Sequence, residues 1–83
     1  MNLIKFSAGW CSPCKQLEVA LGNTDHPLAK DYRSVDIDNN TELTKLYNVR
    51  GVPTLILEDD EGNELRRLTG MQTPIKLLAF LSA

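Results

Sequence analysis

A chain of 83 residues with 42% hydrophobic and 24% charged side chains has the composition of one small globular domain, residues 1-83, too short to divide into two independent cores. Nine basic and eleven acidic residues are scattered along it for a net charge of −2, which argues against the broad positive field that draws nucleic acid or anionic lipid. The longest apolar stretches are four or five residues and the N-terminus lacks a basic region followed by an apolar run, so neither a membrane span nor an export signal is read, and a cytoplasmic location is expected.

Leu3-Ile4-Lys5-Phe6 is a short apolar run that suits a mostly buried strand, and Ala8-Gly9-Trp10 is the turn leaving it. Cys14, Leu17 and Leu21 then recur at helical spacing. Pro13 sits where a first turn tolerates a missing N–H, and Gly22-Asn23 reads as a stop. The stretch Thr24 to Asp31, with Asp25-His26-Pro27, reads as a loop, and Tyr32 to Ile37 as a second strand. Strand, helix, strand is a right-handed βαβ unit with parallel strands. Asn39 with Glu42 resembles a capping box, and Leu43, Leu46 and Tyr47 line one face of a short helix ending near Asn48. Thr54 to Glu58 and Glu64 to Thr69 flank the acidic, Gly-containing turn Asp59 to Asn63 and read as an antiparallel hairpin. Thr73-Pro74 has the form of an N-cap with Pro at the first helical position, followed by Ile75, Leu78, Ala79 and Leu81 on one face. The order is β-α-β-α-β-β-α.

Two cysteines only two residues apart close too short a loop to staple a fold. In Trp10-Cys11-Ser12-Pro13-Cys14 they follow a strand and open a helix, the expected context for thiol–disulfide exchange. The unpaired N–H groups and the dipole at a helix N-terminus stabilise a thiolate, lowering its pKa from about 8.5 toward ambient pH. Cys11 is so placed and is read as the attacking thiolate. Cys14 lies on the same helix face but deeper, where it resolves the mixed disulfide.

Together with Arg50-Gly51-Val52-Pro53-Thr54 ahead of a hairpin, this motif resembles the thioredoxin family. The resemblance covers the whole chain, although the chain begins at the strand entering the active site, without the family's N-terminal strand and helix. It implies a thioredoxin-like α/β fold whose four-stranded mixed sheet has the order second, first, third, fourth, flanked by helices on both faces. The second strand would then stand at a sheet edge. It also implies a cis Val52-Pro53 bond opposite the cysteines, with Val52 offering its backbone to an extended substrate segment. Gly70 matches the family's glycine loop, Trp10 its tryptophan before the first cysteine and Lys15 its lysine after the second. Substrate contact is expected at Trp10, Ser12 and Pro13 on one side and at Val52, Pro53, Gly70 and Met71 on the other. The implied function is dithiol reduction of protein disulfides, recharged by a thioredoxin-reductase-like enzyme or by glutathione, with no bound organic cofactor. Ribonucleotide reductase is one partner so implied, and a monomer is expected.

The sequence departs from the family where thioredoxins carry a buried aspartate: Lys5 stands there, and Ser34 aligns with that aspartate's lysine partner. Ser12 replaces the commoner glycine, Ser7 an aromatic residue and Val19 a helix-kinking proline. Lys5 either pairs with Asp36 and stabilises the Cys11 thiolate, making the protein more oxidising than ordinary thioredoxin, or snorkels to solvent.

Other readings are weaker. Tetrahedral zinc needs four ligands, and beyond the two cysteines the remaining soft candidate is His26, so no metal is expected. His26 precedes a proline in a loop with no oxyanion device near Cys11, and the run Glu58 to Asn63 lacks calcium-loop spacing. Arg66 and Arg67 face opposite sides of their strand, forming no nucleic-acid patch. A glutathione-dependent glutaredoxin fits the short chain but not Trp-Cys-Ser-Pro-Cys, nor the absence of a glycine–aspartate glutathione signature. The alternative from another class is a partner-docking module with incidental thiols.

Overall fold

The computed structural model describes residues 1–82. Strand β1 (Asn2–Ser7) lies inside the sheet, parallel to β2 (Arg33–Asp36) and antiparallel to β3 (Thr54–Glu58), which pairs antiparallel with β4 (Glu64–Thr69). The order β2-β1-β3-β4 agrees with the sequence reading, and β2 stands at an edge. Helix α1 (Ser12–Gly22) carries the crossover from β1 toward β2, α3 (Thr41–Leu46) the passage from β2 to β3, and α4 (Pro74–Ser82) closes the fold.

Alternation along the central strands divides the core in two. Leu3, Leu55 and Leu57 pack with Leu17 and Leu21 of α1 and with Leu77, Phe80 and Leu81 of α4. Ile4, Phe6, Val35 and Ile56 face the other way, against Leu43 and Tyr47 of the α3 segment. Helices therefore cover both faces, and a strand between two apolar layers must be apolar on both sides, as β1 and β3 nearly are. The arginines of β4 divide likewise: Arg66 lies 5.9 Å from the Phe80 ring centroid, whereas Arg67 binds the Glu64 carboxylate and donates to the Tyr47 carbonyl at 2.9 Å.

Four local expectations need correction. The segment read as a loop contains one helical turn, α2 (Pro27–Lys30), whose start is capped by His26 Nδ1 accepting from Leu28 N–H at 3.1 Å. Pro27 and the cap favour the turn, and Ala29 anchors it to the core. Helix α3 begins after Asn40 rather than Asn39 and has no side-chain cap, because the Asn40 amide donates to the Asp36 carbonyl at 3.0 Å. On that helix Leu46 is 78% exposed, while Leu43 and Tyr47 reach the core. The buried face of α4 is Leu77, Phe80 and Leu81, leaving Ile75 and Leu78 exposed. Leu77 and Phe80 pack in one cluster with Leu55 and Leu57 of β3, and Thr73 Oγ1 caps the helix start, accepting from Lys76 N–H at 3.3 Å.

At the far end of β3, the Tyr47 hydroxyl donates to the buried Glu58 carboxylate at 2.6 Å. That hydrogen bond and burial hold the Tyr47 phenol above its ordinary pKa. A raised folded-state pKa adds stability that is complete below the unfolded value, about 10, and lost as pH rises through the folded value. Tyr47→Phe is therefore expected to cost about 1–2 kcal/mol at neutral pH. In urea melts, the gap between the two proteins should hold from pH 7 to 9 and close in the alkaline range above 10; a gap constant across that range would rule the linkage out.

Candidate active site

The site forms where β1 ends. Cys11 occupies the N-cap of α1 in extended conformation, and its Sγ accepts the Cys14 N–H at 3.1 Å. The turn between strand and helix is held by Cys11 N–H donating to the Ala8 carbonyl at 3.2 Å. Pro13 occupies the first turn, and no acidic residue stands there to offset the positive end of the helix. The two cysteines are joined as a disulfide with Cα atoms 5.3 Å apart, within the range such a bridge needs. Both residues are buried, Cys11 to 4% exposure and Cys14 to 2%, so the difference in depth read from their spacing is small.

Ala8, Cys11 and Cys14 form a cluster walled by Ile37 after β2 and by Val52. The Val52-Pro53 peptide is cis, and Pro53 is buried. The Pro53 carbonyl accepts from Gly70 N–H at 2.9 Å, tying the two loops together. Gly70 has φ +81°, a left-handed conformation that glycine adopts without strain. Around this cluster the rim is apolar and open: Trp10 is 69% exposed and Met71 55%, and Ser12 and Pro13 are exposed as well. The exposure of Met71 rules out the core position. Two concavities of about 450 and 680 Å³ lie elsewhere, the first lined by Leu3, Leu28 and Tyr32 among others, the second by Arg33, Leu43 and Leu46. Neither is lined by a cysteine.

Lys5 neither pairs with Asp36 nor snorkels to solvent. It is 2% exposed and its ammonium is bound to Glu18 Oε1 of α1, 5.1 Å from the Tyr32 ring centroid. Asp36 is not its partner. That carboxylate stands beside Ser7 in the strand register and turns back to accept from Asp38 N–H at 2.9 Å. Sequence reasoning missed Glu18, although its place one turn after Cys14 was a usable signal. It also missed Asp38, whose Oδ2 accepts the Trp10 indole N–H at 3.0 Å across 28 positions, a contact no local pattern encodes.

A disulfide-bonded Cys-x-x-Cys at a helix N-terminus, walled by Val52 and Ile37 and preceded by the exposed Trp10, marks the class of proteins that exchange thiols and disulfides. Comparison with known proteins narrows the class. The Thioredoxin family model matches residues 1–83. Thioredoxin from Pseudomonas aeruginosa is 36% identical over 98% of this chain and 76% of its own length; that from Chlamydia pneumoniae is 38% identical over 84% and 69%. Among solved structures, a mutant thioredoxin from Halobacterium salinarum superposes with a TM-score of 0.80 at 35% identity, covering 95% of this chain and 69% of its own. Trxlp from Edwardsiella tarda gives 0.83 at 32%, covering 99% and 82%. The chain belongs to the thioredoxin family and is a thiol–disulfide oxidoreductase that acts on disulfide-containing proteins and is itself recharged by a reductase system.

Proposed function

We propose that this chain works as a reductant of protein disulfides, receiving an extended substrate segment between the Trp10-Ser12-Pro13 side and the Val52-Pro53-Gly70-Met71 side. The Cys11 thiolate attacks one substrate sulfur, forming a mixed disulfide and expelling the other as a thiolate. Cys14, as its thiolate, then attacks Cys11 Sγ, and the second substrate thiolate leaves. Two electrons pass to the substrate, and both of its thiolates take protons from solvent. The oxidised Cys11–Cys14 pair remains, to be recharged by a thioredoxin-reductase-like enzyme or by glutathione. The redox pair itself carries the electrons, so no organic cofactor enters the scheme. A cytoplasmic setting suits this direction of flow, because thiol pools there are kept reduced, and ribonucleotide reductase is a partner of the right chemistry.

The observation that carries the reading is the hydrogen bond from Cys14 N–H to Cys11 Sγ at the start of α1, since the group receiving it is the sulfur that must bear negative charge. The test is a titration of the Cys11–Cys14 pair against glutathione, following Trp10 fluorescence and trapping free thiols in parallel. A reversible two-electron transition is expected, with a midpoint between about −270 mV and the glutaredoxin range near −200 to −230 mV. Absence of a reversible disulfide would leave a docking module instead.

A further inference from the structure

Lys5 is a buried cation on the α1 side of β1, and the thiol chemistry described above does not use it. Its ammonium is held by Glu18, and the two groups meet solvent very differently: the Lys5 side chain is 2% exposed and that of Glu18 52%. Glu18 stands four residues after Cys14, about 6 Å along the axis. Three residues beyond Lys5, Ala8 packs directly on both cysteines.

Water screens the carboxylate of this pair far more than the ammonium, so the two fields do not cancel in the interior. What remains at the cysteine cluster is a net positive potential entering from the β1 side, added to that of the helix terminus. The disulfide carries no charge, whereas the reduced pair carries the Cys11 thiolate. A positive potential therefore favours the reduced form.

We infer that Lys5 and Glu18 form a positioning pair that sets the redox equilibrium of Cys11–Cys14, with Lys5 shifting it toward the dithiol and Glu18 tempering that shift. The inference rests on the oxidoreductase reading. In the exchange reaction, two glutathione thiols are oxidised to their disulfide while Cys11–Cys14 is reduced to the dithiol, and the proton of Cys11 Sγ passes to solvent as the thiolate forms. Neither Lys5 nor Glu18 exchanges a bond or an electron.

The experiment compares glutathione titrations of the wild type, Lys5→Met and Glu18→Gln, with circular dichroism confirming that each is folded. Methionine keeps the unbranched shape and removes the cost of burying a charge, and Glu18 is half-exposed on a helix surface. Lys5→Met is expected to shift the exchange constant about tenfold toward the disulfide, equivalent to about 30 mV more reducing. Glu18→Gln is expected to move it about threefold the other way. The rate of Cys11 alkylation as a function of pH should follow, its midpoint rising in Lys5→Met and falling in Glu18→Gln. A reversible wild type with Lys5→Met within twofold of it, or both variants moving in one direction, overturns the pair's role while leaving the oxidoreductase reading intact. A wild type with no reversible transition overturns both.

Discussion

Cys14→Ser is expected to react once with a disulfide substrate and then stop, because the Cys11 thiolate still attacks but nothing at position 14 displaces the bound chain. The product is a covalent adduct through Cys11, visible by non-reducing electrophoresis and by a mass equal to protein plus substrate, and cleared by added dithiol. Cys11→Ser should give no adduct, since the sulfur at the helix N-cap is the one that receives the Cys14 N–H and serine oxygen is not a thiolate nucleophile at neutral pH. Turnover in either variant should fall by about three orders of magnitude or more, as it does when one member of a concerted catalytic unit is removed. An adduct formed equally well by Cys11→Ser through Cys14 would reverse the assigned roles.

Leu17→Ala is expected to have the largest effect on stability. Leu17 is wholly buried in the cluster that joins α1 to β1, β3 and α4, and truncating such a leucine costs about 2–5 kcal/mol. Small domains of this length carry only about 4–12 kcal/mol in total. The loss should appear as a lower urea midpoint with little change in slope. The variant should also lose part of its exchange rate, because α1 is the element that presents Cys11 and Cys14. A change below 1 kcal/mol would mean that the core closes around the missing side chain.

Much of this architecture is legible in the chain itself. Thr54–Glu58 and Glu64–Thr69 are the strands expected, because a hairpin is written in adjacent residues: two strand-forming runs around an Asp- and Gly-containing turn. Strand β2 is shorter than the stretch Tyr32 to Ile37, since an edge strand pairs only where its neighbour reaches. The turn at Pro27–Lys30 was missed because four residues give no helical period to read. Rotation of the α4 face was missed for a related reason. Ile75, Leu77, Leu78, Phe80 and Leu81 offer more than one apolar stripe, and the choice lies with the surface they meet.

The site shows the same division. Local order placed Cys11 at a helix N-terminus and Cys14 one turn inward, and the Gly-Val-Pro-Thr segment carried the resemblance that implied a cis-proline loop beside them. These features depend on neighbouring residues or on a motif contained in a few positions. Charge partners do not. A buried ammonium requires a counterion, but the chain alone left open whether Lys5 is buried or reaches solvent, and Asp36 and Glu18 were equally available acids along the sequence. Tertiary structure chose Glu18 because α1 lies across β1 and brings that side chain over Lys5, while the turn after β2 claims Asp36 for its own N–H groups. What the sequence by itself determined is the chemistry of the cysteine pair and the succession of strands and helices along the chain, both written in local pattern; what only the fold decided is which distant charges surround that pair, because such contacts arise when separate elements pack together.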